Sequence, residues 1–534
     1  MSGGFARARG SPRRFRFCPG SATEYRLSDY SFGPPDGRCS GALAWIPVSE
    51  MMRPSMNDRA PLPDPVRRRL LADAARYSIA AGVFGSGWPA IQDKNETIGI
   101  AFIGVGSRGS HLMRSHGFWP DSELKAAGYA SPPQERIPGV AVRAVCDVYQ
   151  RRLDEAVAAC AKYGEHPAAH RDFRRVLDDK TVNAVLIATA DVWHAPIAIA
   201  ALQAGKDVYI EKCMTHSFGE TKRLREVARA SDRIVQVGHQ NRHSTYHNLA
   251  RSLVHDGVLG PVTVMQTAVA RNTPSGAYLV DVPADATPER ISWDLFVPPA
   301  PDGSRENVPF EPAQLFTWRR FWRYSTGIAG DLMSHEIDAA DQILGLGIPD
   351  FVTASGGVYT WRDGRETPDV YSVIHEHRSK GVTFTYNATL ASSFERKTTI
   401  LGRDATLVLG LELAVYPDVA SQKYSASLGS GKMSPGQPFI HFEGPTRDPK
   451  LTTSPTLAWA EGKGLTFTEF GGKKYDVTRL HLEEFHRCMR ERKAPVCGVE
   501  EGYRVAVACH MGTRSYREGR PMRWDSAKEE IVPA

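Results

Sequence analysis

The chain has 534 residues, 42% of them hydrophobic, which is enough to bury two ordinary cores because single domains usually run about 100 to 200 residues. The formal net charge is +6, but Lys and Arg crowd the first 76 positions and the remainder is nearly balanced, so nucleic acid is not an expected partner. The eight cysteines form no CxxC pair and no zinc-ligand spacing, and no run approaches the roughly 20 apolar residues of a membrane span. We therefore predict neither disulfides, nor a metal site, nor a spanning helix.

Residues 1–95 are rich in Gly, Pro, Ser and Arg and predict a disordered leader. Within it, Arg67 and Arg68 precede a mildly apolar run and resemble a twin-arginine export signal. Translation from Met52 or Met56 would place that pair at the usual distance from an amino terminus. A basic amphipathic helix explains the same residues, so periplasmic and cytoplasmic locations both stay open.

The next segment, residues 97–103, is a short apolar run that suits a buried parallel strand, and GVGSRG follows it at once. A GxGxxG sequence between a strand and a helix is typical of a dinucleotide-binding turn, in which the amino end of the helix faces a pyrophosphate. The predicted cofactor contacts in this turn are Gly104, Gly106, Ser107, Arg108 and Gly109.

A second buried run, residues 140–148, contains Asp147, whose carboxylate is placed to accept the ribose hydroxyls of NAD. The spacing from the glycine turn is longer than usual, and we attribute the excess to an inserted loop rich in turn residues. A capping role for Asp147 is the alternative. Arg151 and Arg152 keep NADP open beside NAD, because a guanidinium can meet a 2'-phosphate.

Three further strand patterns alternate with helix patterns as far as residue 240 and predict a doubly wound parallel sheet, the Rossmann arrangement, over residues 96–240. Ligands collect at the carboxyl ends of such strands. The predicted residues at these ends are Thr189, Trp193 and His194 after one strand, Glu211 and Lys212 after the next, and Arg242 after the last.

Residues 241–534 predict an α/β domain with a large open, mainly antiparallel sheet, because most of its strand patterns are joined by short turns. Inside it, Asp331, His335, Asp338 and Gln342 recur at helical spacing and share one helix face. That polar face suits a cleft, while the opposite apolar face anchors the helix. The two closing helix patterns, at residues 480–492 and 499–519, are amphipathic and are expected to pack over the first domain.

Together, GVGSRG, ATADVWHAP, AGKDVYIEK and VGHQNR resemble the Gfo/Idh/MocA oxidoreductases, over about residues 97 to 524. The resemblance implies that Glu211 and Lys212 match a Glu-Lys-Pro turn beside the nicotinamide, with Lys212 contacting substrate. Cys213 replaces the proline, and we expect the turn to aim Lys212 less rigidly. Asp331 and His335 match the family's Asp-x-x-x-His pair, which makes His335 the expected general base, while Asp331 either orients it or binds a second substrate hydroxyl.

The run FTWRRFWRYSTG mixes aromatic residues with arginines, a combination that suits sugar faces and sugar hydroxyls. Tyr324 lies closest in sequence to the Asp331 helix, although a packed aromatic core explains the run equally well. The predicted substrate contacts are Arg242, Tyr324 and Asp338.

These features favour an NAD(P)-dependent oxidoreductase that transfers hydride to or from a hydroxyl or keto carbon of a sugar or polyol, with NAD slightly preferred. The first alternative is a glycosidase or lyase that uses tightly bound NAD in a cycle of oxidation, elimination, hydration and reduction. The second is a non-catalytic sugar- or nucleotide-binding module, since fold alone does not prove turnover. The family resemblance also implies a homo-oligomer.

Overall fold

A computed structural model describes residues 97–127, 130–300, 307–394, 396–410, 412–442, 467–470 and 473–534. The predicted leader and its twin-arginine motif lie outside the described residues. Over the described ranges, no helix combines the length and the apolar character that crossing a bilayer requires.

The first sheet has six strands, all parallel, and confirms the predicted Rossmann arrangement. Its order, β3-β2-β1-β4-β5-β6, changes direction beside β1, where a crevice for a ligand opens. The strands are β1 (Ile98–Ile103), β2 (Val140–Cys146), β3 (Ala168–His170), β4 (Ala184–Ile187), β5 (Asp207–Ile210) and β6 (Val235–Val237).

Helices connect these strands and cover the sheet. Ser217 and Glu220 form a capping box that fixes the start of the helix Phe218–Arg229. The Ser217 hydroxyl accepts a hydrogen bond from the Glu220 amide, and the Glu220 carboxylate accepts one from the Ser217 amide. The helices are α1 (Ser107–Ser115), α2 (Asp121–Ala127), α3 (Gln150–Ala161), α4 (Phe173–Asp178), α5 (Asp191–Gln203), α6 (Phe218–Arg229) and α7 (Thr245–His255).

The second sheet has ten strands in the order β14-β13-β12-β11-β7-β10-β9-β8-β17-β18, and all of its pairs are antiparallel except β7 with β10. This confirms the predicted open, mainly antiparallel sheet. The strands are β7 (Val262–Ala270), β8 (Phe351–Gly357), β9 (Val370–His377), β10 (Val382–Thr389), β11 (Thr398–Gly402), β12 (Ala405–Leu409), β13 (Leu413–Pro417), β14 (Ile440–Phe442), a separate pair β15 (Phe467–Phe470) and β16 (Lys473–Asp476), then β17 (Met522–Asp525) and β18 (Glu530–Pro533).

The remaining helices carry the predicted site helix and the two closing helices. They are α8 (Trp293–Phe296), α9 (Pro312–Phe316), α10 (Ser334–Leu344), α11 (Ser425–Gly429), α12 (Val477–Glu491) and α13 (Val499–Glu518), with a π-helical turn at Ala329–Met333 directly before α10. The domain boundary placed between residues 240 and 241 stays a prediction.

The closing helices tie the two sheets together. Phe485 and Met489 of α12 share a buried core with Ile100 and Phe102 of β1, as expected for a helix that returns to the first domain. Helix α13 contacts both α6 and β8. Lys212, which follows β5 at the carboxyl edge of the first sheet, contacts Asp331 in the π turn before α10.

Candidate active site

A cavity of about 490 Å³ extends from the glycine turn along the carboxyl edge of the first sheet to the π turn and the start of α10. This volume lies within the range of small-molecule and cofactor sites. Most of the predicted cofactor and catalytic residues line it: Gly104, Gly106, Ser107, Arg108, Asp147, Thr189, Trp193, His194, Glu211, Lys212, Asp331 and His335.

The glycine turn is shaped for a backbone that must approach closely. Gly104 has φ of +84°, and a Cβ there would lie 2.7 Å from the Ala188 carbonyl oxygen. A Cβ on Gly109 would lie 1.9 Å from the Gly104 carbonyl oxygen, so Gly109 allows the turn and α1 to pack and is not itself on the cavity wall. Among the residues that the structure describes, no side chain caps the amino end of α1, which leaves its first N–H groups for an anion.

Asp147 directly follows β2 and is 6% exposed. Its Oδ2 accepts a hydrogen bond from the Val105 amide (2.9 Å) and its Oδ1 from the Tyr149 amide (3.0 Å). The carboxylate therefore braces the glycine turn, and each oxygen keeps a further lone pair for a ligand hydroxyl. The bracing role and the predicted ribose role are compatible.

These residues fit a dinucleotide. The glycine turn leaves space for a pyrophosphate that any side chain in the turn would obstruct. The uncapped amino end of α1 and Asp147 flank that space. The Arg152 guanidinium lies beside them, with Nη1 3.8 Å from Asp147 Oδ1.

Lys212 and Asp331 form the centre of a buried network at the other end of the cavity. Lys212 Nζ donates to the Asp331 carbonyl oxygen (2.5 Å) and to Asp331 Oδ1 (2.8 Å). Arg319 Nε donates to the same Oδ1 (3.1 Å), and the Tyr278 hydroxyl donates to Oδ2 (2.7 Å). One carboxylate thus holds two cations and a phenol, although the two residues of the central pair are 119 positions apart.

The charge state of Asp331 follows from these contacts. Burial by itself would raise the pKa of the carboxyl, but Lys212 and Arg319 outweigh it and hold the pKa well below the usual range. Asp331 is therefore an anion at neutral pH, and Lys212 has a permanent counter-ion. An ammonium group has three N–H donors, so Lys212 retains one for a ligand.

His335 lies one helical turn beyond Asp331, on the cavity wall and 8% exposed. Burial, the positive charge of Lys212 and the neighbouring His239 hold its pKa well below the usual value. His335 is therefore neutral at pH 7 and able to accept a proton. Its buried Nδ1 has no hydrogen-bond partner among the described residues.

The turn that carries Glu211, Lys212 and Cys213 is hydrogen-bonded to helices of the first domain. Glu211 Oε1 accepts a hydrogen bond from Arg108 Nε (2.7 Å), and His194 Nδ1 lies 2.7 Å from the Cys213 carbonyl oxygen. Cys213 is 1% exposed. Contacts from two helices of the first domain and from Asp331 hold this turn, and the expectation that Lys212 is aimed less rigidly without the proline stays a prediction.

Residues around the start of α5 line the cavity and also form hydrogen bonds with the second domain. The Trp193 indole donates to the Phe296 carbonyl oxygen (2.7 Å), which fixes the ring on the wall, and Thr189 lines the same cavity. Asp191 Oδ2 accepts from the amide (2.9 Å) and the hydroxyl (2.7 Å) of Thr326 and so links the two domains.

The three predicted substrate contacts are not on the cavity wall. Arg242 Nε donates to Asp338 Oδ1 (2.8 Å) and its Nη2 to Asp341 Oδ2 (3.1 Å), while the Tyr324 hydroxyl donates to Gln314 (2.8 Å). Burial outweighs Arg242 and raises the pKa of Asp338 to about 6. The predicted polar face of α10 does not line the cavity along its whole length. Other elements, α7 and α13 among them, bury this helix on all sides, so only its first turn reaches the cavity. A substrate role for Arg242, Tyr324 and Asp338 stays a prediction that this geometry does not support.

Sequence reasoning missed several residues that the second domain contributes to the wall. Arg271 and Ser275 follow β7, Tyr278 follows them, and Arg319 belongs to the aromatic and arginine-rich run. Position directly after a strand was the available signal for Arg271. The aromatic run drew attention to Tyr324, five residues after the arginine that touches Asp331.

One group of possible metal ligands exists in the described part of the chain, although the sequence predicted none. Ligand atoms of His243, His481 and Glu484 lie within 4.8 Å of one another, away from the cavity wall. His243 Nε2 and Glu484 Oε2 are 3.0 Å apart, and Glu484 Oε1 accepts from the Val496 amide (3.0 Å). These contacts also describe an ordinary hydrogen-bonded cluster between the Gln240–His243 turn and α12.

Comparison with known families identifies the fold. Residues 98–239 match the oxidoreductase-family NAD-binding Rossmann fold, and residues 302–523 match the C-terminal alpha/beta domain of the same family. The chain belongs to the Gfo/Idh/MocA oxidoreductase family. Its first domain is therefore an NAD-binding domain, in agreement with the fit of the glycine turn.

Curated members of the Gfo/Idh/MocA family resemble parts of the chain. A glycosyl hydrolase family 109 protein of Saccharopolyspora erythraea is 27% identical over 290 residues, which cover 50% of this chain and 52% of that protein. An inositol 2-dehydrogenase of Salmonella typhimurium is 31% identical over 125 residues, covering 23% and 36%. The chain thus spans about half, or less, of the length of these curated relatives.

Solved structures share the fold over most of the chain. A levoglucosan dehydrogenase in complex with NADH and levoglucosan has a TM-score of 0.53 at 19% identity and covers 82% of this chain and 99% of that one. The aldose-aldose oxidoreductase from Caulobacter crescentus, complexed with glycerol, has a TM-score of 0.53 at 16% identity and covers 80% and 99%. At these identities the likeness establishes the fold alone.

Proposed function

We propose that the protein is an NAD-dependent oxidoreductase of the dehydrogenase type that acts on a hydroxyl or keto carbon of a sugar or polyol. One observation carries the proposal: Lys212, Asp331 and His335 share a single cavity with the glycine turn and Asp147. A proton acceptor and a hydrogen-bond donor thus adjoin the space that a dinucleotide fits.

The roles follow from the charge states. Lys212, held by Asp331, uses its remaining N–H to bind the reacting oxygen of the substrate. Neutral His335 takes the hydroxyl proton as the carbon is oxidised, and returns a proton in the reverse direction. NAD, when bound, supplies the hydride acceptor. Asp331 acts through Lys212 and is a positioning residue.

The names of the relatives support the substrate class. Inositol 2-dehydrogenase and levoglucosan dehydrogenase are named for a polyol and an anhydrosugar. A family 109 glycosyl hydrolase among the relatives favours a second candidate, a glycosidase that oxidises a sugar carbon, eliminates the aglycone, adds water and returns the hydride. The same three residues serve the oxidation step in both. Twin-arginine export and homo-oligomerisation stay predictions from the sequence.

The two candidates differ in whether hydride leaves the enzyme. The purified protein is incubated with NAD and a panel of sugars, polyols and aryl glycosides, while nicotinamide absorbance and aglycone release are followed together. A dehydrogenase forms NADH in proportion to product. A glycosidase releases aglycone without net NADH and retains its dinucleotide through desalting, as native mass spectrometry detects.

Variants test the assigned roles. His335→Asn and Lys212→Met should each lower kcat by about 10² to 10⁴ while NAD affinity is retained. His255→Asn and Lys493→Met are matched controls, because those side chains are 85% and 73% exposed and lie outside the cavity. Turnover by His335→Asn at the control rate would contradict the proposal.

A further inference from the structure

Arg271 is a buried cation on the cavity wall. It directly follows β7 and is 6% exposed, and its backbone amide donates to the Thr389 carbonyl oxygen (2.9 Å). Its Nε is buried and has no hydrogen-bond partner among the residues that the structure describes. No described carboxylate forms an ion pair with it, so its charge is uncompensated within these ranges.

The other cations on this wall have partners in the protein. Arg108 pairs with Glu211 at 2.7 Å, and both Lys212 and Arg319 pair with Asp331. The remaining partners are Glu123 for Arg114, Asp147 for Arg152, Asp172 for Arg174, and the side chains of Gln150 and Ser292 for Arg171. Burying a cation without a counter-ion is strongly unfavourable, so an anion is expected to reach Arg271 when the site is filled.

The surroundings of Arg271 place it at the catalytic end of the cavity. A Cβ on Gly276 would lie 3.1 Å from Arg271 Cβ and 3.7 Å from its Cδ, so the side chain runs along the Ser275–Ala277 turn. That turn ends at Tyr278, whose hydroxyl donates to Asp331. Arg271 is also close enough for its charge to oppose the rise that burial produces in the pKa of Tyr278.

Tyr278 gives this wall a fixed shape. Its φ is +64°, in the left-handed region that a bulky residue seldom adopts, and strained conformations of this kind concentrate at ligand sites. The backbone therefore holds the phenol against Asp331 while Arg271 flanks the same turn. The anion that meets Arg271 is thus expected on the substrate and not on the adenosine half of the cofactor, which lies toward Asp147.

We propose that Arg271 binds a carboxylate of the substrate, and hence that the substrate is a sugar acid such as a uronate or an aldonate. This inference rests on the proposed function and names its substrate class. A guanidinium offers two parallel N–H donors that match the two oxygens of one carboxylate. A phosphate dianion usually draws on several free cations, whereas Arg271 alone on the described wall has no partner.

The test measures binding and turnover on the NAD-loaded protein. Isothermal titration compares glucuronate with glucose, galacturonate with galactose, and gluconate with glucitol, and glucose 6-phosphate serves as the phosphate arm. The variants are Arg271→Gln, Arg271→Lys and the matched control Arg223→Gln, whose side chain is 60% exposed on α6. NAD affinity is measured for each variant.

At least one acid should bind more tightly than its neutral partner. Arg271→Gln should weaken that acid by about 10- to 100-fold and leave the neutral sugars and NAD unchanged. Arg271→Lys should recover part of the loss, because it keeps the charge without the two-pronged geometry. The Arg223→Gln control should bind as the wild type does.

Failure of this inference is distinguishable from failure of the proposed function. Turnover of neutral sugars with no Arg271-dependent preference for any acid would overturn the carboxylate site and leave the oxidoreductase proposal standing. Arg271-dependent binding of an acid without turnover of any sugar would do the reverse. Preference for glucose 6-phosphate over every carboxylate, or a loss confined to NAD affinity, would also overturn the assignment.

Discussion

Replacing either residue of the Lys212–Asp331 pair should have unequal effects on stability. Asp331→Asn leaves Lys212, whose side chain is 11% exposed, and Arg319, whose side chain is 33% exposed, without their counter-ion. Breaking a buried pair typically costs about 3 to 5 kcal/mol, and because water partly screens Arg319 the expected loss is at the lower end, about 3 kcal/mol. Lys212→Met leaves Asp331 bonded to Arg319 at 3.1 Å and to Tyr278 at 2.7 Å. Its loss should be nearer the 1.5 to 3 kcal/mol, roughly, of one hydrogen bond to a charged group.

The double variant sharpens the test because the sign of one step changes. In the Asp331→Asn background, Lys212→Met removes an uncompensated cation and should be neutral or stabilising, whereas in the wild type it destabilises. Urea denaturation of the four proteins gives the coupling free energy. Asp232→Asn and Lys493→Met are surface controls, at 81% and 73% side-chain exposure, and should change stability by less than about 1 kcal/mol. Equal destabilisation by Lys212→Met in both backgrounds would refute the assignment of Asp331 as the shared counter-ion.

Three further changes have definite expected outcomes. Gly109→Ala should abolish NAD binding and lower the thermal unfolding midpoint, because its Cβ would lie 1.9 Å from the Gly104 carbonyl oxygen. The control Gly219→Ala should be tolerated, because no atom lies within 4 Å of the added Cβ. Equal NAD affinities of the two variants in a cofactor titration would contradict this prediction. Burial lowers the pKa of His375 to about 3, so below about pH 6.5 the unfolded chain takes up a proton that the folded chain refuses, and wild-type stability falls. His375→Phe should remove about 2 kcal/mol of that loss by pH 5, and parallel stability curves for the two proteins across this range would exclude it. The pKa of His335 is also depressed, so the imidazole stays neutral as the pH falls through 6.5. We therefore expect kcat/KM to stay level through pH 6.5 and to fall only well below it. A fall of kcat/KM centred near pH 6.5 would argue against His335 as the base.

The cofactor half of the molecule was predictable because its signals are local. A short apolar run, a glycine turn and a helix start lie within about a dozen residues, and their chemistry constrains one another. The structure places Gly104, Gly106 and Asp147 on the cavity wall. Gly109 differs only in its role, since the tight packing that requires glycine there also keeps it behind the wall.

The segment that carries Asp331 and His335 shows what periodicity in the sequence cannot predict. Spacing correctly placed His335 and Asp338 on one helix, with Asp331 in the turn that leads into it, but a period of 3.6 residues does not say which neighbour covers each turn. Asp331 lies in the wider π turn that precedes α10, and Asp338 lies deeper, where Arg242 reaches it from the Gln240–His243 turn. Residues that form one polar face in the sequence therefore divide into two groups: Asp331 and His335 line the cavity, and Asp338 pairs with Arg242 away from it.

The substrate half depends on charge balance, which only the folded chain reveals. Arg271 and Arg319 look alike in the sequence, since each is an arginine near aromatic or turn residues. In the structure, Arg319 forms an ion pair with Asp331, which also binds Lys212, whereas Arg271 forms no ion pair with a carboxylate of the described residues. A buried charge is costly unless it is balanced, and this is why the proposed carboxylate site is placed at Arg271 and not at Arg319.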